Sequence, residues 1–438
     1  MTVRAATERY SIDGRAALSD ASVSLTPDVF WEGAWAVALE ARREAAGADA
    51  ELLGLEPLTI RSDGRDWSLR VRSGRVESTP GKAEDLLVEL DVAAFTDLMQ
   101  ERKSAFGLAI AGRVTGDDRA INMFSAWDPV LRSVLDGRSL YRSGDVTLEA
   151  QDGGNLDLNQ AFELDQPGRE AAHFLTETGF LLLKDVFTED EMKAIDADLT
   201  DAVEGADPDD GVSWWATTKE GARYPCRILD FVTKSESLRQ LLDSPTFLSI
   251  GQLLDDGHEP GDPFGEHFSD VTAEGLVKRV DSVDGLVCLP WHKDCERGGH
   301  SLFCSGLTIG ICLTPVDEAH GGLDVIAGSH RALIYRSQFD AGLDLPTVRL
   351  HAARGDVTVH TSCTVHRSTH PTQSERRVIY TGFALPVRPG DRRDSIDQRV
   401  LARERADIAG RPPVDPLVAA PVSRALVEWG TGMNASRL

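Results

Sequence analysis

The chain has 438 residues, enough for roughly two or three domains with cores of their own. Its formal net charge of −25 opposes binding to a phosphate backbone, so we expect no nucleic-acid partner. No apolar run reaches the roughly 20 residues that span a bilayer and the N-terminus lacks a signal-peptide core, so we expect a cytoplasmic protein without stable membrane insertion.

The distribution of histidine divides the chain into two parts. All 11 histidines lie at position 173 or later, and imidazole is the commonest neutral metal ligand and general base in proteins. We therefore expect the chemistry in the second part. The composition predicts an N-terminal domain over residues 1–142, a polar linker over 143–168 and a catalytic domain over 169–438.

The N-terminal domain shows strand alternation followed by helical periodicity. Residues 58–79 predict paired strands that turn at Gly64 and Gly74, and residues 84–100 predict a further strand and a helix. This order predicts an α+β domain. Residues 27–137 resemble the sterol-carrier-protein type-2 domain, which implies an apolar cavity for an acyl or sterol chain. A rigid packing or dimerisation module is the other interpretation, so a homodimer remains open.

The second part contains short apolar strands separated by turns, among them GLTIGICLTPV, GDVTVHTSCTVH and RRVIYTGFALPV. Several short strands at this spacing predict a mainly-β sandwich or double-stranded β-helix, a jelly roll of the cupin kind. Flanking helices are predicted before Gly179 and after Thr188, where Thr188 and Glu191 form a capping box. The sequence has no glycine-rich phosphate-binding motif, so ATP and dinucleotides are not expected.

One histidine follows a predicted strand at a spacing that suits a metal site. His292 and Asp294 are two residues apart after the apolar run 286–289, so both side chains project from the same strand face. The pair alone also fits a surface ion pair. A second imidazole would complete two histidines and a carboxylate, a set typical of non-haem Fe(II). The candidates for that imidazole are His360, His366 and His370.

These spacings resemble the phytanoyl-CoA hydroxylase family of Fe(II)- and 2-oxoglutarate-dependent dioxygenases over residues 170–390. The family's HxD motif is matched by His292 and Asp294. Its Gly-Asp pair, followed ten residues after the aspartate by a histidine, is matched at 355–356 and His366. The resemblance implies that His292, Asp294 and His366 are catalytic residues that bind Fe(II), with 2-oxoglutarate as cosubstrate and molecular oxygen as oxidant.

Two further residues match the cosubstrate site of this family. The family's arginine, eleven residues past the second histidine, falls on Arg377, and Ser368 matches a position that hydrogen-bonds the cosubstrate. The resemblance implies that Arg377 pairs with the distal carboxylate of 2-oxoglutarate, because a buried carboxylate needs a charged partner. Arg376 is expected on the opposite strand face. His360 shares a strand face with His366 and is its rival as a ligand, although the family spacing favours His366.

Residues that contact a substrate are harder to find. Trp214 and Trp215 are adjacent in a polar segment before the metal strand and are candidates for a substrate lid. Arg227 is a candidate partner for a substrate carboxylate or phosphate. Packing on the exterior of the barrel and a surface ion pair are the other interpretations. Residues 253–270 are rich in Gly, Pro and acidic side chains, which predicts a mobile loop near the site.

Together these features predict an Fe(II)- and 2-oxoglutarate-dependent oxygenase. It would hydroxylate an unactivated C–H bond of a small or lipid-like organic substrate and release succinate and carbon dioxide. Two other classes remain open, a lipid- or metabolite-binding protein with a catalytically idle barrel and a metal-dependent non-oxidative enzyme on the same barrel. The combination of two imidazoles, a carboxylate and a guanidinium favours the oxygenase.

Overall fold

The computed structural model describes residues 24–101, 103–110, 112–164, 169–210, 212–261, 273–283, 289–294, 306–335, 338 and 342–385. Within these ranges the strands form three sheets, which we name the N-terminal sheet, the large sheet and the small sheet. No helix in the described ranges is long and apolar enough to cross a membrane. The loop predicted over residues 253–270 is described only up to residue 261, and the rest of that prediction lies outside the described residues.

The N-terminal domain is an α+β unit in which helices pack on one mixed sheet, as the sequence predicts. Its elements are α1 (Pro27–Phe30), a π-helical turn (Trp31–Trp35), α2 (Ala36–Leu52), β1 (Leu58–Ser62), β2 (Arg65–Arg72), β3 (Arg75–Pro80), β4 (Leu87–Leu90), α3 (Val92–Met99), α4 (Ala105–Ile110), β5 (Val114–Thr115) and α5 (Asp118–Asp136). The sheet order is β3-β2-β1-β4-β5, with β1 and β4 parallel and the other neighbours antiparallel. Helices α2 and α5 pack against each other and against this sheet.

Local side-chain chemistry sets the ends of these helices. Asp91 and Asp117 each accept a hydrogen bond from a main-chain N–H three residues further on and so cap α3 and α5. Gly137 adopts the left-handed conformation that ends α5. Helix α2 approaches the β2–β3 turn so closely that a β-carbon at Gly47 would lie 2.1 Å from the carbonyl oxygen of Gly74.

Aromatic rings occupy part of the interior of this domain. The ring centroid of Trp31 lies 5.0 Å from that of Trp35 and 5.6 Å from that of Trp67. Phe30 and Phe95 pack edge-on beside them, 5.5 Å apart between centroids. These side chains are all buried. The rings are therefore part of the apolar core of this region.

The second part consists mainly of strands, with helices at its beginning and beside the large sheet. Its elements are β6 (Phe162–Glu163), α6 (Arg169–Thr178), β7 (Phe180–Lys184), α7 (Glu189–Glu204), β8 (Ser213–Thr217), β9 (Arg223–Ile228), a 3-10 turn (Phe231–Thr233), α8 (Glu236–Leu242), α9 (Pro245–Gly251), β10 (Glu259–Pro260), β11 (Glu274–Lys278), β12 (Leu289–His292), β13 (Gly306–Cys312), β14 (Leu323–Ile326), a second 3-10 turn (Ser329–Arg331), β15 (Thr347–Leu350), β16 (Val357–Thr361), β17 (His366–Ser368) and β18 (Arg376–Ala384). The capping box predicted at Thr188 and Glu191 is present at the start of α7.

The strands from β11 to β18 are divided between two sheets. The large sheet has the order β6-β7-β16-β13-β18-β11-β9-β8, with β10 beside β18, and the small sheet has the order β12-β17-β14-β15. Strands β11, β13, β16 and β18 thus belong to the large sheet, while β12, β14, β15 and β17 belong to the small one. Apart from the consecutive strands β14 and β15, the strands alternate between the two sheets along the chain, which is the strand pattern of a jelly roll.

Polar side chains of the large sheet reach across to the small sheet. Lys278 on β11 contacts the hydroxyl of Ser368 on β17, and Arg376 on β18 donates to the carbonyl oxygen of Gly322, just before β14, at 3.3 Å. The inner faces of the two sheets therefore face each other. Both cations are at most 2 % exposed, so the interior between the sheets contains charged groups as well as the apolar core.

The segment predicted as a linker is described up to residue 164, and it contacts the second part. Leu148, Leu156 and Phe162 pack against its apolar core. Just before this segment, the N–H of Tyr141 donates to the carbonyl oxygen of Leu333 at 2.8 Å. These contacts tie the chain between the two predicted domains to the jelly roll. The domain boundaries themselves stay a prediction.

Candidate metal centre

His292, Asp294 and His366 lie together between the two sheets. Strands β12 and β17 pair antiparallel with His292 opposite His366, and the two ring centroids are 4.1 Å apart. Asp294 follows β12, and its Oδ1 lies 3.6 Å from the Nε2 of each histidine. One ligand atom from each residue lies within 4.8 Å of the other two. The structure thus brings the three predicted ligands together, and their role as ligands stays a prediction.

The imidazole of His366 has the tautomer and the neutral charge that a metal ligand needs. Its Nδ1 lies 2.9 Å from the carbonyl oxygen of Thr364, and a carbonyl can only accept, so the Nδ1 carries the proton. The lone pair of Nε2 therefore points towards Asp294 and His292. Burial, together with the neighbouring imidazole of His292, lowers the pKa of His366 well below its ordinary value. The ring is neutral near pH 7, as metal binding requires.

The carboxylate of Asp294 supplies the negative charge of the cluster. Burial alone would raise the pKa of this carboxyl, but the neighbouring histidines, among them His360, whose Nε2–H donates to it, hold that pKa well below its usual range. The group is ionised at neutral pH, although it is only 8 % exposed. A buried carboxylate favours a cation at the point where the ligand atoms of the three side chains converge.

The donor set fits Fe(II). Two imidazoles and one carboxylate suit this ion, whereas sites rich in thiolate indicate zinc or a cluster. Within the described residues the cluster contains no cysteine. Three protein ligands would leave positions of a six-coordinate ion for a chelating cosubstrate and for oxygen.

His360 lies beside the cluster but is not one of its three members. It is on β16 of the large sheet, and its Nε2 is 3.3 Å from Oδ2 of Asp294. Its ring centroid is 4.3 Å from that of His366. The other rival considered from the sequence, His370, points away, because its Nε2 lies 3.0 Å from the carbonyl oxygen of Val280.

The Gly-Asp pair that helped to identify the second histidine forms a turn. Gly355 has a φ of +85°, and a β-carbon there would lie 2.3 Å from the carbonyl oxygen of Phe187. The carboxylate of Asp356 is completely buried. It accepts from the N–H of Asp185 at 2.9 Å and of Ala353 at 2.6 Å, and it pairs with Lys184. These residues fix the start of β16 and thereby the position of the strand that carries His360.

The expectation for Arg377 needs a correction. Its guanidinium lies on the outer face of the large sheet, where it donates to Asp196 at 2.8 Å and to Thr200 at 2.7 Å, both on α7. It also donates to Glu375 at 2.8 Å. The cause is the strand register, because Arg377 is opposite Val277 on β11 while Arg376 is opposite Lys278. Alternate residues of a strand face opposite sides, so Arg376 is the arginine that faces the interior.

A buried polar group lies near the three predicted metal ligands. It consists of Arg376, Ser368 and Lys278. Ser368 lies on the same short strand as His366, two residues further along. Its hydroxyl contacts the ammonium of Lys278 and lies 3.5 Å from Nη1 of Arg376. Nη2 of Arg376 donates to the hydroxyl of Tyr380 at 3.3 Å. Ser368 is therefore placed next to an interior cation, although the cation is Arg376 and not Arg377.

The residues predicted to contact a substrate lie on β8 and β9, at one edge of the large sheet, and not in a separate lid. They are Trp214, Trp215 and Arg227. Arg227 is opposite Leu276, which shares a strand face with Lys278, so Arg227 is also on the inner side of the large sheet. Its guanidinium lies 4.7 Å from the ring centroid of Trp214 and 3.2 Å from a carboxylate oxygen of Glu274. Trp215 is half-buried below the guanidinium of Arg223.

Sequence reasoning missed Lys278 and Thr308, and it placed Arg376 outside the site. A signal for Lys278 was available, since a lysine closes the apolar run GLVK at even spacing from Leu276. Thr308 donates to Oδ2 of Asp294 at 2.9 Å, yet no signal marks it, because threonine is common in any strand. The interior position of Arg376 depends on strand register, which the spacing of motifs does not reveal.

Comparisons with solved structures give similarities that cover between 50 % and 60 % of the chain. AviO1 from Streptomyces viridochromogenes Tue57 is 21 % identical, with a TM-score of 0.40, and the match covers 50 % of this chain and 95 % of that chain. The non-heme alpha ketoglutarate dependent carbocyclase SnoK from nogalamycin biosynthesis is 21 % identical, with a TM-score of 0.41 and coverage of 60 % and 98 %. EctD from S. alaskensis with bound Fe is 18 % identical, with a TM-score of 0.40 and coverage of 56 % and 84 %.

A search of curated proteins finds no match. Residues 175–378 match the model of the phytanoyl-CoA dioxygenase (PhyH) family, whose enzymes use Fe(II), 2-oxoglutarate and molecular oxygen.

Proposed function

We propose that the protein is an Fe(II)- and 2-oxoglutarate-dependent oxygenase that hydroxylates a C–H bond of a small or lipid-like organic substrate. The observation that carries the proposal is the buried convergence of His292, Asp294 and His366 between the sheets. In this proposal these three side chains hold Fe(II). The bound ion, with cosubstrate and oxygen, supplies the oxidising power, and succinate and carbon dioxide are released.

In this proposal Arg376 takes the role that the family resemblance implies for Arg377. Its guanidinium is 1 % exposed, and its partners are the neutral oxygens of Gly322, Ser368 and Tyr380. Among the described residues no carboxylate pairs with it, and its Nε has no hydrogen-bond partner. A buried cation is stabilised by an anion. The distal carboxylate of 2-oxoglutarate supplies one, and a guanidinium binds a carboxylate through two parallel hydrogen bonds.

Ser368 and Lys278 complete the cosubstrate site in this proposal. Ser368 donates its hydroxyl to the same distal carboxylate, and Lys278 adds a second positive charge beside it. Both side chains are less than 10 % exposed, so electrostatic attraction is weakly screened by solvent. A binding protein with an idle barrel needs no cation pair at this position. The pair therefore supports the oxygenase over that alternative.

The substrate site is proposed on the inner face of β8 and β9. Trp214 and Trp215 offer flat apolar surface, and the Arg227–Glu274 pair offers both a donor and an acceptor. Such a wall suits a small organic molecule with apolar and polar parts. The N-terminal domain, as a sterol-carrier-like module, would bring lipid-like substrates or form a homodimer. Both of these roles, and a cytoplasmic location, belong to the proposal.

The test is an anaerobic titration of the full chain with Fe(II) and 2-oxoglutarate. We expect the weak visible absorption band of the iron–cosubstrate chelate, and then succinate once oxygen is admitted. The band should be absent when His366→Ala is titrated in the same way. A wild-type protein that binds Fe(II) without forming the band would contradict the oxygenase. Turnover of a substrate without oxygen would establish the non-oxidative alternative.

A further inference from the structure

The two carboxylate oxygens of Asp294 have different surroundings. Oδ1 faces Nε2 of His292 and Nε2 of His366, both at 3.6 Å, which is longer than a hydrogen bond. Oδ2 accepts a hydrogen bond from the hydroxyl of Thr308 at 2.9 Å and lies 3.3 Å from Nε2 of His360. One oxygen therefore faces the two predicted histidine ligands, and the other faces the large sheet.

Thr308 and His360 act from neighbouring strands of that sheet. They are directly opposite each other in the pairing of β13 with β16, and opposite residues project from the same sheet face. Both side chains are at most 2 % exposed. The pair therefore forms a rigid two-donor surface below the carboxylate. The pair lies on strands other than β12 and β17, which carry His292 and His366.

The ring of His360 is oriented as a donor. A carboxylate oxygen only accepts, so the hydrogen bond to Oδ2 requires the proton on Nε2. Its Nδ1 is buried and has no hydrogen-bond partner among the residues that the structure describes, so none of these competes for that proton. Nε2 therefore carries the hydrogen that it donates to Asp294, so this nitrogen has no free lone pair with which to bind an ion.

We propose that Thr308 and His360 are positioning residues that hold Oδ2 of Asp294, so that the carboxylate offers only Oδ1 to the ion. This inference rests on the proposed function, since it assumes that Asp294 is a ligand. Holding one oxygen fixes the carboxylate plane and removes the two-oxygen binding mode. A carboxylate that binds through one oxygen would leave more of the ion's coordination positions to the cosubstrate. Groups that orient a metal ligand in this way typically contribute 10- to 100-fold to metal affinity.

The experiment measures Co(II) and Fe(II) affinity of the full chain without oxygen, so that no turnover is involved. Thr308→Val and His360→Leu each remove one donor, and Thr308→Ser and His360→Gln are the matched controls that keep one. We expect Thr308→Val and His360→Leu to bind both ions roughly 10- to 100-fold more weakly, while the two controls stay within about threefold of the wild type. The visible spectrum of bound Co(II) should change in the donor-deleted variants because the carboxylate can rotate.

A purely structural role is separated by measuring thermal unfolding of the metal-free variants. If the variants lose metal affinity only in proportion to their loss of thermal stability, the inference is overturned. It is also overturned by Thr308→Val and His360→Leu variants that bind Co(II) like the wild type, or by a His360→Gln variant as weak as His360→Leu. In each of these cases the wild type still binds the ion, and the oxygenase proposal stands. A wild type that binds neither ion would instead end the oxygenase proposal.

Discussion

Arg376 and Arg377 are adjacent on β18, yet their guanidinium groups lie on opposite sides of the large sheet. Arg376 reaches the main-chain oxygen of Gly322 in the interior, and Arg377 reaches Asp196 on the outer helix α7. Substitution of one arginine can therefore serve as the control for substitution of the other. Two arginines of the same strand differ in whether they face the predicted cosubstrate.

Replacing Arg376 should weaken cosubstrate binding far more than replacing Arg377. Arg376→Leu removes the charged hydrogen bonds to the distal carboxylate, which contribute roughly 1.5 to 3 kcal/mol, or about 10- to 150-fold in affinity. Arg377→Leu should leave the affinity for 2-oxoglutarate within about twofold. The measurement is an anaerobic titration of the iron-loaded variants with 2-oxoglutarate, followed through the visible band.

The matched control for this pair is a stability measurement. Arg377→Leu loses partly exposed ion pairs with Asp196 and Glu375, each worth up to about 1 kcal/mol of unfolding free energy. Its unfolding midpoint should therefore fall slightly while cosubstrate affinity is kept. If Arg377→Leu lost affinity and Arg376→Leu kept it, the register correction would be wrong.

The sequence could predict the strands, the turns and the His-x-Asp motif. It could not predict on which side of a sheet each side chain lies. Gly64 and Gly74 predict two turns that the structure has, and even spacing places His292 beside Asp294. The interior arginine depends on the length of the loop between β17 and β18. A difference of one residue there moves every following side chain to the other face. Counting from His366 therefore selects Arg377, whereas the pairing of β18 with β11 selects Arg376.

Contacts between strands that are far apart in the sequence could not be predicted from the sequence either. Thr308 and His360 meet at Asp294 because β13 and β16 pair across about fifty residues. No local pattern encodes that pairing, since each strand reads as an ordinary apolar run. The two-sheet architecture could be inferred from the spacing of strands, but their order in the sheets required the structure.

Replacing the proposed ligand His366 should affect the visible band of the chelate more than replacing its neighbour His360. His366→Ala deletes one of three proposed ligands, so the visible band of the chelate should be lost even at high Fe(II). His360→Ala keeps all three, so the band should form once enough Fe(II) is added to offset the weaker affinity. The measurement is band intensity against Fe(II) concentration at saturating 2-oxoglutarate. The opposite result would make His360 the ligand.

The Gly-Asp turn should matter for stability. Asp356→Ala removes a carboxylate that is fully buried, leaves the N–H groups of Asp185 and Ala353 without their acceptor and breaks the pair with Lys184. We expect a loss of roughly 3 to 5 kcal/mol in unfolding free energy. Denaturant titration of the metal-free chain measures it. Asp209→Ala, an exposed aspartate of the same part of the chain, is the control and should change it by less than about 0.5 kcal/mol. Equal effects of the two variants would remove the structural role of Asp356.

His330 should make stability depend on pH in the acid range. Burial lowers the pKa of this imidazole to about 3, while in the unfolded chain it stays near 6.5. Between these values the unfolded chain binds more protons, so the unfolding free energy falls as pH falls from 6.5 towards 3. The contribution is fully present above pH 6.5, and its slope approaches about 1.4 kcal/mol per pH unit.

His330→Gln provides the test of this dependence, because glutamine does not titrate and can keep the hydrogen bond to the carbonyl oxygen of Thr176, which His330 makes at 2.9 Å. The variant and the wild type share all other titrating groups. Their difference in unfolding free energy should therefore be constant above pH 7, and it should shift in favour of the variant by roughly 1 to 2 kcal/mol between pH 6.5 and pH 5. Denaturant titrations at several pH values measure it. Parallel curves would mean that His330 is protonated in the folded protein as readily as in the unfolded chain.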